Sequence, residues 1–110
     1  MRQIHADLIV CGGGTAGLPA ALAVAKRGIA VAVIEDDPRV GGAVTDCFTE
    51  LRCGDPVQGT YAEALALTAE LAPELKNHNA YPHGAFLAAY LKLFEGLPVT
   101  FYTGQRAEKY

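Results

Sequence analysis

The chain has 110 residues, half of them apolar, with 12 acidic and 9 basic side chains and a formal net charge of −3. That balance excludes a polar disordered chain, and the basic residues are too scattered to form a nucleic-acid-binding stripe. No unbroken apolar run is long enough for a membrane span, and the length allows at most one domain with a modest core.

Residues 1–7, MRQIHAD, lead into an apolar strand and glycines, not into the hydrophobic region of a leader. No targeting segment is read, and the expected compartment is the cytoplasm. Three cysteines, Cys11, Cys47 and Cys53, are odd in number and lack C-x-x-C spacing, which argues against a disulfide framework and against a zinc site. Cys11 closes an apolar run and is expected to be a small buried hydrophobe.

The first three elements form one unit. Apolar runs over 6–11 and 30–35 suit parallel strands covered on both faces. A helix is expected over about 15–27, with Pro19 tolerated near its first turn and Gly28 as its stop. Strand, helix and parallel strand so close together imply a right-handed crossover. Between first strand and helix stands Gly12-Gly13-Gly14-Thr15-Ala16-Gly17, a G-x-G-x-x-G pattern. Gly12 permits the tight turn, Gly14 lets a pyrophosphate approach the backbone, and Gly17 lets the helix lie against the sheet. The unpaired N–H groups and positive dipole end of the helix face the diphosphate, so no lysine is needed there. Lys26 and Arg27 suit the opposite, negative pole. Gly17, Ala21 and Ala25 make a stripe of small residues on the helix. Glu35 ends the second strand about twenty residues past the turn, where a carboxylate accepts both hydroxyls of an adenosine ribose and disfavours a 2′-phosphate.

Residues 36–42 form a turn with the doublet Gly41-Gly42. No helical period governs 43–60. A helix is expected over 61–71, with Thr60 and Glu63 as a capping box and Pro73 limiting it. After a polar turn at 77–79, a second helix is expected over 83–95. Phe86, Leu87, Tyr90, Leu91 and Phe94 lie on its apolar face, and Gly96 ends it. VTFYT, residues 99–103, reads as a third strand.

The stretch 7–42, with its glycine turn, Glu35 and Gly41-Gly42, resembles the amino-terminal FAD-binding signature of the two-dinucleotide-binding-domain flavoproteins, in the FAD-dependent oxidoreductase family. The doublet favours FAD over NAD, because in those flavoproteins a glycine pair returns the chain towards the diphosphate. The resemblance implies an α/β, Rossmann-like fold: a parallel sheet in strand order 3-2-1 flanked by helices, and incomplete, since a doubly wound sheet continues beyond its first strand. Residues 1–110 would then be the amino-terminal part of an FAD-binding domain, with a β-α-β unit at 6–35, a loop and helix at 36–80, and a helix and third strand at 83–103. By the same likeness Gly12, Gly14, Thr15, Ala16 and Gly17 line the pyrophosphate and Glu35 the ribose. Arg39, Gly41, Gly42 and Ala43 lie on the adenosine-to-flavin side, and Gln105 stands where the family usually has an aliphatic residue near adenine. Thr15 replaces a frequent proline.

No catalytic acid, base, nucleophile or metal ligand set is legible. Cys47 and Cys53 are C-x5-C and displaced from the C-x4-C pair of flavin-dependent disulfide reductases, so they read as reduced thiols. His5, His78 and His83 have no ligand spacing. Tyr61, Tyr81, Tyr90 and Tyr102 read as packing residues. Asp36 and Asp37 read as a solvated turn whose charge opposes NADP.

The expected function is the FAD-binding portion of an oxidoreductase acting on a small molecule, inactive without flavin-closing and substrate segments. Two alternatives stay open: an NAD-binding module of a dehydrogenase, and a noncatalytic nucleotide-binding subunit. The first strand's edge would need the rest of an enzyme or a partner chain to cover it.

Overall fold

A computed structural model describes residues 2–42, 58–73 and 83–108. Ala43, Cys47, Cys53, His78, Tyr81 and the side chain of His83 lie outside the described residues. The described elements follow in the order β1 (Leu8–Cys11), α1 (Gly17–Ala25), β2 (Val31–Glu35), α2 (Gly59–Leu71), α3 (His83–Phe94) and β3 (Val99–Thr103).

The three strands are parallel and β2 is central, which is the 3-2-1 order. Leu8 pairs with Val31 and Cys11 with Ile34, while Val31 pairs with Val99 and Glu35 with Thr103. Side chains alternate across a strand, so Val31 and Val33 share one face of β2 and Ala32 and Ile34 the other. Val31, Val33, Leu18, Ala21, Leu22 and Ala25 join the core built with α2 and α3. The small side chains of Ala21 and Ala25 are fully buried, as the sequence stripe requires.

Helix α3 contributes an aromatic row at four-residue spacing. Phe86 meets Tyr90 edge-on at 5.1 Å, and Tyr90 stacks on Phe94 at 6.3 Å. Phe94 meets Phe101 of β3 edge-on at 5.2 Å, tying the helix to the sheet. Such ring pairs add about 0.5–1.5 kcal/mol each beyond the area they bury. The amino-terminal segment is held at the opposite face by Arg2, whose guanidinium lies 4.9 Å from the Tyr102 ring centre; Tyr102 and Ala32 share that face.

Several sequence expectations change. The apolar β1 is not covered as β2 is: Leu8 and Ile9 are 37% and 41% exposed, because β1 is an edge of this sheet. Cys11 is exposed, not a buried hydrophobe, since it ends that edge strand. Leu91 is 47% exposed, leaving the α3 core face to Phe86, Ala89, Tyr90 and Phe94.

The capping box is not formed. Helix α2 begins at Gly59 with Gln58 at its cap and no side-chain cap bond. The Thr60 hydroxyl donates instead to the Pro19 carbonyl at 2.6 Å, and Glu63 accepts from Lys26 at 2.8 Å through both oxygens. Both side chains thus tie α2 to α1. The Lys26–Glu63 pair is half-exposed, and such pairs contribute only about 0.2–1 kcal/mol.

Candidate nucleotide-binding site

The site forms where β1 and β2 end. The Gly12 N–H donates to the Ile34 carbonyl at 2.7 Å, extending the parallel ladder by one residue before the chain turns away. Gly12 adopts φ +100°, which L side chains rarely take. The turn then feeds α1, and Leu18 N–H reaches back to the Gly14 carbonyl at 3.0 Å.

Helix α1 starts without a side-chain cap bond. Among the described residues, no acceptor takes the N–H groups of Gly14, Thr15, Ala16 or Gly17. These open donors, at the positive end of a nine-residue helix, suit an anion. A Cβ on Gly17 would overlap the Gly12 carbonyl oxygen, so only glycine lets the helix start this close to the strand end.

The doublet closes over this turn from the other side. Gly41 N–H donates to the Gly13 carbonyl at 2.7 Å, and a Cβ on Gly42 would sit 2.9 Å from the Gly14 Cα. Gly14 itself differs. A Cβ there would stand 3.7 Å from Gly42 Cα, ordinary contact, so the protein leaves room for a side chain at Gly14. Among the described residues, none excludes a side chain at that position.

Glu35 is 7% exposed. Its carboxylate accepts from Gly13 N–H at 2.7 Å on one oxygen and from Asp37 N–H at 3.1 Å on the other. Each oxygen has two acceptor positions, so the fixed carboxylate keeps capacity for two further donors such as vicinal hydroxyls. The chain leaving β3 packs on the same residues: Gly104 N–H donates to Asp37 O at 2.8 Å and Gln105 N–H to Glu35 O at 3.0 Å. A cleft of about 230 Å³ opens here, lined by Cys11, Gly12, Ile34, Glu35, Asp36, Gln105, Arg106 and Ala107.

The structure therefore gathers Gly12, Glu35 and Gln105 at one cleft, with Gly14, Thr15, Ala16 and Gly17 at the adjoining helix start and Gly41 and Gly42 against the turn. Arg39 is exposed on the segment between Glu35 and the doublet. Ala43 lies outside the described residues.

Three residues here were not singled out for the site by sequence reasoning. Gly13 is buried and holds Glu35, and a Cβ on it would meet the Val40 side chain at 2.7 Å. Its only signal is a glycine standing between Gly12 and Gly14, at a position the motif leaves free. Cys11 and Arg106 line the cleft without any spacing that marks them.

Asp36 and Asp37 are exposed beside Glu35, as a solvated turn would be. Three carboxylates meet there, without a further feature pointing to a cation. Among the described residues, no helix is long and apolar enough to cross a membrane.

Comparison with known proteins follows the same lines. A search among curated proteins finds no match. Among solved structures, the chain is similar to THI4 from Thermovibrio ammonificans, with a TM-score of 0.60 and 21% identity over 94% of this chain and 40% of that one. It is also similar to OTEMO in an FAD-bound form, with a TM-score of 0.51 and 17% identity over 96% of this chain and 20% of that one. At such identities the likeness is one of fold, and the chain spans less than half the length of either protein. The sequence pattern of the family described as FAD dependent oxidoreductase matches residues 7–101. With a parallel β-α-β unit, a glycine turn braced by a glycine doublet and a fixed strand-end carboxylate, the chain belongs to the FAD dependent oxidoreductase family, whose cofactor is FAD.

Proposed function

We propose that these residues bind the adenosine diphosphate part of FAD, as the amino-terminal portion of a flavin-dependent oxidoreductase, and that the chain by itself carries no redox turnover. The observation that carries this reading is the seating of Gly42 against Gly14 beside open helix-start donors and the fixed Glu35 carboxylate.

In this reading the N–H groups of Gly14, Thr15, Ala16 and Gly17 hold the diphosphate, and Glu35 orients the ribose through the acceptor capacity left after Gly13 and Asp37 are bonded. The segment 105–107 flanks the base. Arg39, Gly41, Gly42 and Ala43 belong to the side leading towards the flavin. When bound, FAD supplies hydride or electron-pair transfer. The chain's own residues bind, orient and shield. None of those described in the cleft is assigned a role as acid, base or nucleophile, so the substrate chemistry is assigned to residues outside this cleft.

Competition on the purified chain tests the cofactor. FAD and ADP should displace one another, and NAD should displace FAD only at a much higher concentration. Preference for NAD, or flavin-dependent reduction of an acceptor by the chain alone, would contradict the proposal.

A further inference from the structure

One basic residue, Arg106, lines the cleft beside Glu35. Its place is fixed by the two hydrogen bonds before it. Gly104 N–H to Asp37 O at 2.8 Å and Gln105 N–H to Glu35 O at 3.0 Å clamp the chain leaving β3 onto the end of β2. Arg106 follows immediately and is exposed. Glu35 and Asp36 line the same cleft, yet Arg106 has no ion pair or hydrogen bond among the described residues. Glu35 is already engaged by Gly13 and Asp37. The remaining lining from the strand ends, Cys11, Gly12 and Ile34, is small or apolar.

We infer that Arg106 is the residue that covers the adenine base, laying its planar guanidinium over one ring face. This rests on the nucleotide reading above. With the diphosphate at the start of α1 and the ribose at Glu35, the base must leave Glu35 on the side away from the glycine turn, where residues 105–107 stand. A flat, delocalised cation stacks on an aromatic face, whereas the compact, strongly hydrated lysine ammonium does so less well. The contact is therefore one of shape as well as charge. It distinguishes Arg106 from a residue that merely balances Glu35 and Asp36.

The test is calorimetric titration of ADP, and flavin-fluorescence titration of FAD, into the 110-residue chain and two variants. Arg106→Ala should weaken ADP and FAD alike by about fivefold with an unchanged melting temperature, since Arg106 is exposed and unpaired among the described residues. Arg106→Lys should weaken both almost as much. Arg106→Ala binding as the wild type would overturn the assignment, and so would Arg106→Lys binding as the wild type, which would mark a contact of charge alone. A wild-type chain that binds neither ADP nor FAD would instead overturn the nucleotide reading, and this assignment with it.

Discussion

Tyr90 carries a fully buried hydroxyl with no hydrogen-bond partner among the described residues. Burial first, and the neighbouring Tyr61 second, push its phenol well above its ordinary value. Below about pH 10 the phenol is protonated in both folded and unfolded chains and adds no pH dependence. Above that, the unfolded chain loses the proton while the folded one keeps it. Stability should then fall by about 1.4 kcal/mol for each further pH unit until the folded group ionises. Tyr90→Phe should remove this part of the alkaline loss. It should also leave stability at pH 7 equal or higher, because the ring and its contacts stay while an unsatisfied hydroxyl goes. Urea unfolding of both chains at pH 7 and pH 11 measures this; a marked loss at pH 7 in the variant would mean that the hydroxyl has a partner.

At the scale of elements, α3 acts as the strut between sheet and helices through its aromatic row. Phe86 is fully buried and Leu91 half-exposed on the same helix. Phe86→Ala should cost about 3–5 kcal/mol, enough to unfold much of so small a chain, whereas Leu91→Ala should change stability by about 0.5 kcal/mol or less. Thermal melts followed by circular dichroism would separate them. Helical periodicity alone could not, since it places Leu91 on the same apolar stripe as Tyr90. What it lacks is which part of that stripe the neighbouring elements cover. Thr60 and Glu63 teach a similar lesson. Their spacing is that of a local cap, but α1 offers the Pro19 carbonyl and Lys26 as partners, and tertiary contacts take both side chains. By contrast, β1, α1 and β2 were legible to within two residues at each end, because their constraints are local: two apolar runs, a glycine turn and a stop at Gly28.

For the whole molecule, the strand order and the return of Gly41-Gly42 to the glycine turn were foreseeable through the resemblance to the flavoproteins, while the motif's own spacing gave the turn and the carboxylate at Glu35. The exposure of β1 was only half legible. Its composition reads as interior, and its place at the sheet edge follows from the strand order among the described residues. Cys11 shares that explanation: it is apolar enough for a core, and topology leaves it on the cleft rim. The contributions of Gly13 and Arg106 come from the fold, since neither the bond to Glu35 nor the clamp at Gln105 has a sequence spacing of its own.

The central claim is that the glycine turn holds a diphosphate, and Gly14 tests it most directly. A Cβ at Gly14 makes only ordinary contact with Gly42, so Gly14→Ala should fold with an unchanged melting temperature. The added methyl would occupy the space through which a diphosphate approaches the backbone. Titration of FAD, followed by flavin fluorescence, should give saturable binding to the wild-type chain and binding at least about tenfold weaker to Gly14→Ala. Equal affinity in the folded variant would contradict the account.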